Sequence, residues 1–205
     1  MSTIAALIVN TLPLIRGGRL LRSGISFSVS AGEILFVHGP NGAGKTSLLR
    51  AIAGLLEAPD GCIRFRMCPE GAIVNAEERI REIGWFGHQD GVKQQLSLFE
   101  NLRFHGRYNH SSGDIEHALA ALGLSQLRDL PAQFLSHGQR RRLAFARLLV
   151  VPRSLWLLDE PLASMDDKGK TCVRRQIQDH CRNGGIVMAA SHEPLGLDGA
   201  SLALE

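Results

Sequence analysis

The stretch GPNGAGKT, residues 39–46, has the residue types and spacing of a loop that binds phosphate. It fits the pattern G-x-x-x-x-G-K-[ST] at every fixed position. Glycines let the backbone wrap a polyphosphate with its N–H groups turned inward, and the start of a following helix adds a favourable dipole. Lys45 would place a cation on the outer phosphates, and the Thr46 hydroxyl would coordinate Mg²⁺. The predicted nucleotide contacts here are Gly39, Pro40, Asn41, Gly42, Ala43, Gly44, Lys45, Thr46 and Ser47.

Residues suited to acid–base chemistry follow two later apolar runs. In LWLLDE, residues 155–160, the run delivers Asp159 to a strand end, where it can hold Mg²⁺, and Glu160 can orient or deprotonate a water. Adjacent buried carboxylates are costly unless they meet a cation or donor, which favours function over packing. His192 follows GIVMAAS, residues 185–191, and can donate to a terminal phosphate. The predicted catalytic residues are Glu160, His192 and Lys45.

The glycine-rich loop is flanked by the two elements that its chemistry requires. ILFVH, residues 34–38, is a continuous apolar run typical of a buried central strand. TSLLRAIAGLL, residues 46–56, has the apolar spacing of a helix. The residues expected on its buried face are Leu48, Leu49, Ile52, Leu55 and Leu56.

The remaining patterns predict a parallel-sheet core interrupted by helices. Asp114 is a suitable N-cap for one of these helices and Gly123 a suitable end. Strands at both ends of the chain surround a helical middle, which predicts an α/β fold with a helical insertion at roughly 90–150. The segments expected to be strands are 24–30, 34–38, 62–67, 83–87, 155–159 and 185–191, and the expected helices lie near 96–108, 114–124 and 167–183.

The composition is that of a globular chain without a membrane span. The 205 residues suggest one domain, with 44% hydrophobic residues and a formal charge of only +3. Four cysteines without CxxC spacing suggest reduced thiols, and the scattered histidines of 105–117 suggest surface positions. No signal peptide is evident, and the most apolar stretch, 148–158, is far shorter than the ~20 residues of a membrane helix. Another subunit would therefore supply any membrane span.

The basic stretch LSHGQRRRLAFARLL, residues 135–149, has two interpretations. Its arginines could contact a nucleic-acid backbone. Alternatively, Ser136 caps a helix whose first N–H groups point at nucleotide phosphate, and the arginines follow on that helix. The basic residues lack regular alternation with aromatic residues on which bases stack, so no nucleic-acid partner is expected. Some of the arginines are then expected at a subunit interface or on a membrane-facing side.

Several motifs together resemble the ATP-binding cassette (ABC) ATPases. LSHGQ is similar to the LSGGQ signature, Gln89 in GHQD to the Q-loop, ASMD at 163–166 to the D-loop, and His192 to the switch histidine. The motif order covers almost the whole chain. The resemblance implies one nucleotide-binding domain over 1–205, with a P-loop NTPase fold of mostly parallel sheet, an antiparallel β edge and a helical subdomain at about 90–150.

The resemblance also implies further contacts to ATP and Mg²⁺, made in a head-to-tail pair of subunits. In that pair the signature of one copy contacts the phosphate held by the other. Many cassettes stack an aromatic residue on adenine, but LIRGGRLLRSGISF has none before its final residue, and Arg16 is the nearest planar group. Stacking by Arg16 and simple solvation of its side chain are both open. The implied nucleotide contacts are Arg16, Gln89, Ser136, Gly138, Gln139 and Asp166, and the implied metal contacts are Thr46, Gln89 and Asp159.

The segment IGWFGHQDGVKQQLSLFENLRFHGRY, residues 83–108, resembles one family of cassettes in particular. It is similar to the ATP-binding subunit of cytochrome c maturation systems, the haem exporter or CcmA type. That resemblance implies a peripheral subunit on the cytoplasmic face of a bacterial inner membrane, bound to integral membrane subunits. Its ATP hydrolysis would drive release of a haem-loaded chaperone.

Three alternatives belong to other classes. The chain could serve another ABC importer or exporter, against which only residues 84–108 argue. A soluble cassette acting on ribosomes or DNA is disfavoured, because such proteins carry two cassettes or long coiled coils. A nucleotide-dependent scaffold without turnover is disfavoured because Glu160 and His192 are both present.

Overall fold

A computed structural model of the chain describes residues 3–68 and 80–204. The chain divides into two compact units. The first comprises the described residues of Met1–Trp85, Arg153–Glu160 and His180–Glu205, and the second comprises Phe86–Pro152 and Pro161–Asp179. The single-domain assignment stays a prediction.

An antiparallel sheet forms one part of the first unit and confirms the predicted antiparallel edge. Its strands are β1 (Thr3–Arg16), β2 (Arg19–Ser30) and β4 (Ile63–Cys68), in the order β2-β1-β4. In β2, buried Ile25 and Val29 alternate with exposed serines, as their spacing predicts. Strand β1 was not predicted from the sequence. Its register shifts near Thr11, where φ is +48°, and this irregularity breaks the alternation of apolar residues.

The parallel sheet confirms the predicted core. Among the described residues, its strands are β3, Ile34–His38; β5, Ile83–Phe86; β6, Leu155–Asp159; β7, Ile186–Ala190; and β8, Ala200–Ala203. They lie in the order β5-β6-β7-β3-β8. Strands β6 and β7 are buried at every residue, as expected of strands covered on both faces.

Helix α1, Lys45–Ile52, follows β3 and is shorter than its pattern predicts. Leu48, Leu49 and Ile52 are fully buried in the apolar core of the first unit. Burying one such side chain contributes about 1.5–3 kcal/mol, so these residues fix the helix against the sheet. Leu55 was expected on the same buried face, but it lies beyond the helix end and is 62% exposed.

The second unit contains the predicted helical middle. The helices are α2 (Leu98–Tyr108), α3 (Ile115–Ala121), α4 (His137–Val150) and α5 (Asp167–Arg182), of which α5 belongs to this unit as far as Asp179. Asp114 caps α3 by accepting a hydrogen bond from the His117 N–H, as predicted. Gly123, just beyond α3, has a φ of +65°, which glycine adopts without strain. In the described part of the chain, no helix has the length and apolarity needed to cross a membrane.

Candidate functional site

The phosphate-binding pattern forms the turn between β3 and α1. Gly39, Gly42 and Gly44 have φ values of +149°, +83° and +102°. Glycine adopts such positive values without steric cost, whereas residues with a side chain rarely adopt them. A methyl group at Gly39 would also lie 2.5 Å from the carbonyl oxygen of Leu204. Gly44 caps α1 without a side-chain hydrogen bond, and the first turn carries no acidic residue. The start of α1 therefore offers backbone N–H groups and a positive dipole to an anion.

Lys45 is the first residue of α1, directly after this turn, and is only 7% exposed. Its Nζ donates to the carbonyl oxygens of Gly39 at 2.6 Å and Pro40 at 3.1 Å. His192 Nε2 lies 3.5 Å from the same nitrogen. The ammonium group is thus held at the phosphate-binding turn by backbone oxygens and lies beside the histidine predicted to be catalytic.

Thr46 and Asp159 form a pair of oxygen ligands. The Thr46 hydroxyl donates to Asp159 Oδ2 at 2.9 Å, and the Asp159 side chain is largely buried at the end of β6. A hydroxyl and a carboxylate in contact are the hard oxygen donors that Mg²⁺ prefers. The pair therefore fits the predicted metal position chemically.

Glu160 is held in a defined place by the segment after β7. Its carboxylate accepts hydrogen bonds from the His192 N–H at 3.1 and 3.3 Å and from the Ser191 hydroxyl at 3.3 Å. His192 Nε2 lies 3.7 Å from Glu160 Oε1. Glu160 also adopts a φ of +50°, uncommon for a residue with a side chain, and its N–H bonds the Ala190 carbonyl oxygen. Such strain persists where the surroundings fix the backbone, and it is concentrated at functional sites.

The first unit therefore brings together five of the residues predicted from the sequence. They lie at or after the carboxyl ends of β3, β6 and β7, which are adjacent strands of the parallel sheet, so the three ends meet at one edge. The sequence analysis missed Ser191. Its signal was available, because a hydroxyl stands directly before His192 at the end of a buried strand. The five residues are Lys45, Thr46, Asp159, Glu160 and His192.

The signature residues lie in the second unit at the start of α4. Ser136 Oγ accepts a hydrogen bond from the Gln139 N–H, and Gln139 Oε1 accepts one from the Ser136 N–H, which forms a capping box. A methyl group at Gly138 would lie 2.9 Å from the Ser164 carbonyl oxygen. Asp166 Oδ1 accepts a hydrogen bond from the Gly169 N–H at the start of α5. The predicted cap at Ser136 is thus present, and only glycine fits beside the D-loop backbone without displacing it.

Three arginines of α4 donate hydrogen bonds to other groups of the second unit, although their spacing suggests an external basic surface. Arg141 is 3% exposed, and its guanidinium donates to the Gly87 carbonyl oxygen at 2.8 Å and to Asp90 Oδ1 at 3.1 Å. Arg142 donates to the Leu122 carbonyl oxygen, and Arg147 to that of Gly91. Their hydrogen bonds anchor loops within the second unit. Arg141 is therefore not one of the arginines expected at an interface or on a membrane-facing side, because a buried guanidinium group needs internal acceptors. That expectation stays a prediction for the other arginines of the stretch.

Gln89 and Arg16 are two further residues predicted to contact the nucleotide. Gln89 is exposed in the loop after β5 and belongs to the second unit. Arg16 ends β1, but its side chain lies outside the described residues. Its neighbour Ile15 pairs across the strands with Leu20, and both are large exposed apolar side chains. The nucleotide contacts of the second unit and of Arg16 stay predictions.

Comparisons with known proteins agree with these features. The family model described as ABC transporter matches residues 22–163. The chain is 41% identical to a cytochrome c biogenesis ATP-binding export protein, CcmA 2, of Cupriavidus metallidurans, over 98% of this chain and 95% of that protein. It is 44% identical to the CcmA protein of Rhodopseudomonas palustris BisB5, over 91% of each chain.

Solved structures show the same fold. An ABC transporter ATP-binding protein of Pyrococcus furiosus has a TM-score of 0.80 at 23% identity, covering 97% of both chains. CbiO1 of Clostridium perfringens, described as part of the transporter complex cbiONQ, has a TM-score of 0.73 at 24% identity. That comparison covers 93% of this chain and 79% of the other.

Proposed function

Because the chain belongs to the CcmA family of ABC transporter ATP-binding proteins, we propose that it is the ATP-hydrolysing subunit of a membrane complex for cytochrome c biogenesis. In that complex, hydrolysis drives haem export or the release of a haem-loaded chaperone. The proposed ATP hydrolysis is supported above all by one observation, the grouping of Lys45, Glu160 and His192 beside the Thr46–Asp159 pair. The identity to CcmA proteins supports the biological setting.

Binding of ATP uses the turn between β3 and α1. The positive-φ glycines open the backbone around the phosphates, and the start of α1 contributes N–H donors. Lys45 supplies a positive charge that its backbone acceptors do not neutralise. Thr46 and Asp159 would hold Mg²⁺, with Gln89 as the further ligand implied by the family. When bound, the ion would neutralise negative charge on the phosphate oxygens.

Hydrolysis requires a water aligned with the terminal phosphate. Glu160 orients this water and accepts its proton. Its carboxylate is held by the His192 N–H directly after β6, whereas the carboxylate of Asp159 is paired with Thr46. The bonds from Ser191 and from the His192 N–H fix the carboxylate direction. The His192 side chain, beside both Lys45 Nζ and Glu160, donates to the terminal phosphate oxygen.

A second copy of the chain completes each site in this proposal. Ser136, Gly138 and Gln139 of one copy face the terminal phosphate bound by the other, and Asp166 contributes at the same junction. The start of α4 supports this arrangement because Ser136 and His137 are exposed there. N–H groups at a helix start favour a phosphate. Two copies then enclose two ATP molecules.

The membrane partners would bind the second unit beside α2. A groove of about 410 Å³ lies along this helix, with exposed Phe104 and Tyr108. Exposed aromatic side chains beside arginines suit a partner segment with both apolar and acidic groups. The location that the family implies, and that we propose for this chain, is peripheral, on the cytoplasmic face of the bacterial inner membrane. The lining residues are Leu96, Glu100, Arg103, Phe104, Arg107 and Tyr108.

Site-specific cross-linking tests the proposed partner surface. A photoreactive side chain at Phe104 or Tyr108, in intact membranes, should capture an integral membrane protein that functions in cytochrome c biogenesis. The same group at Arg175, 79% exposed on α5, is the matched control and should capture much less. Capture of the membrane subunit of a different transporter would support the alternative importer or exporter. Capture of ribosomal proteins alone would contradict both.

A further inference from the structure

The loop that carries Gln89 is attached to the helix that begins at the signature motif. We propose that Arg141 and Arg147 of α4 are positioning residues, which fix residues 87–91 so that Gln89 and the start of α4 respond to nucleotide together. We call residues 87–91 the glutamine loop. The inference deepens the proposed function and rests on it, because the proposed function assigns Gln89 a contact with phosphate or Mg²⁺.

Arg141 holds the first half of the glutamine loop. Its Nη1 donates to the Gly87 carbonyl oxygen at 2.8 Å, the His88 carbonyl oxygen at 3.4 Å and Asp90 Oδ1 at 3.1 Å. The guanidinium plane also lies 4.1 Å from the Phe86 ring centroid. With 3% exposure, this guanidinium has little contact with water, so the acceptors in the loop take the place of its hydration.

Arg147 holds the second half. Its Nη1 donates to the Gly91 carbonyl oxygen at 3.2 Å, and its Nε donates to the Ala144 carbonyl oxygen in its own helix. Gly91 has a φ of +59°, and a methyl group there would lie 2.8 Å from Arg147 Nη1. Burial lowers the pKa of the Arg147 guanidinium, and the negative charge of Asp90 opposes that shift.

The two arginines therefore fix the backbone on both sides of Gln89. Carbonyls at 87, 88 and 91 and the Asp90 carboxylate all accept from α4, whereas Gln89 itself is exposed. A loop bonded at both ends has few conformations, so the backbone that carries Gln89 starts from a fixed position. A change at the start of α4 would be transmitted to Gln89 through the same bonds.

The test compares Arg147→Gln and Arg141→Lys with Gln89→Ala and with the combined variants. Arg141→Lys keeps the charge beside Asp90 but lacks the planar fork of donors. Arg128→Gln is the matched control, since Arg128 pairs with Glu116 and Asp129 away from the glutamine loop. ATP hydrolysis is measured in membranes containing the assembled complex. Hydrogen exchange of residues 88–92 is measured on the nucleotide-free chain.

We expect Arg147→Gln and Arg141→Lys to lower kcat about tenfold with little change in the KM for ATP, as expected for loss of positioning. In the Gln89→Ala background the same changes should cause no further loss, because they act through that side chain. Hydrogen exchange at 88–92 should be faster in both arginine variants and unchanged in Arg128→Gln.

Losses that add in the Gln89→Ala background, or unchanged exchange at 88–92, would overturn the inference. Failure of the proposed function is distinguishable, because it would appear as wild-type hydrolysis by a Lys45→Ala chain. The exchange measurement requires no nucleotide and tests the attachment of the loop independently.

Discussion

At the residue scale, the site depends on charged groups held by neutral partners. Lys45 Nζ is bound by two backbone oxygens, and the Glu160 carboxylate by a hydroxyl and a backbone N–H. Such partners orient the charges without neutralising them. In the proposed mechanism these charges act on the phosphate and the water, and low exposure of Lys45 strengthens its interactions.

The first prediction concerns the ammonium group. Lys45→Ala should weaken ATP binding roughly 10- to 100-fold, the scale of one lost hydrogen bond to a charged group, and reduce hydrolysis strongly. Calorimetry with ATP measures the binding. Lys168→Ala, an exposed lysine of α5, is the matched control and should bind ATP as the wild type does. Equal affinity of both variants would remove Lys45 from the nucleotide site.

The second prediction concerns His180, which stacks on Trp156 with ring centroids 3.9 Å apart. Burial lowers the pKa of His180 to about 4. The unfolded chain, with a histidine pKa of about 6.5, therefore binds a proton that the folded chain excludes. The contribution of His180 to the free energy of unfolding is complete above pH 6.5. It falls by up to ~1.4 kcal/mol per pH unit as the pH drops from 6.5 towards 4.

His180→Phe keeps an aromatic ring on Trp156 and removes the titrating group. Its free energy of unfolding, measured by urea denaturation at pH 7, 6 and 5, should fall less steeply with decreasing pH than that of the wild type. All other titrating groups are shared, so the difference between the two slopes isolates His180. Identical slopes would show that the buried histidine titrates at its ordinary pKa.

At the element scale, the start of α4 is limited by its neighbour. Alanine favours a helix over glycine by about 1 kcal/mol, so propensity alone predicts that Gly138→Ala is stabilising. The added methyl group would instead lie 2.9 Å from the Ser164 carbonyl oxygen. Because that oxygen belongs to the backbone, the clash can be removed only by moving the backbone. We predict a net destabilisation of about 1–2 kcal/mol by urea denaturation. An increase in stability would show that the D-loop backbone moves away from the added methyl group at little cost in free energy.

Some elements could be predicted because local sequence specifies them. The runs that form β3, β6 and β7 are continuous and apolar, so their burial and the position of the residues after them follow directly. Strand β1 could not be predicted, because the irregularity at Thr11 breaks its pattern. Strand β8 has four residues, none of them fully buried, and therefore lacks the periodicity that marks a strand.

The candidate site divides in the same way. The spacing of 39–46 and the acids Asp159 and Glu160 at the end of β6 predict the phosphate and water positions from local chemistry alone. The role of Arg141 depends on Gly87 and Asp90, which are remote from it in sequence, so a helical cluster of arginines resembled an external basic surface. Pairings between distant residues are set by tertiary structure, which composition and spacing do not encode.

At the scale of the whole molecule, each chain has one phosphate-binding turn and one signature motif. The turn belongs to the first unit and the signature to the second. In the proposed head-to-tail pair, the turn of one copy and the signature of the other would together complete each site. In the proposed function, closure of two copies around ATP is the step that transmits energy to the membrane subunits.

The most direct test of this account is the Glu160→Gln chain. Glutamine keeps the volume and much of the hydrogen bonding but removes the base and its charge. ATP should still bind and hold two copies together, which light scattering detects, while single-turnover hydrolysis falls by roughly 10²-fold or more. Asp159→Asn, the matched control at the neighbouring acid, should instead raise the Mg²⁺ concentration needed for turnover. Hydrolysis by Glu160→Gln at the wild-type rate would contradict the proposed mechanism, and failure of this chain to bind ATP would show that Glu160 is structural.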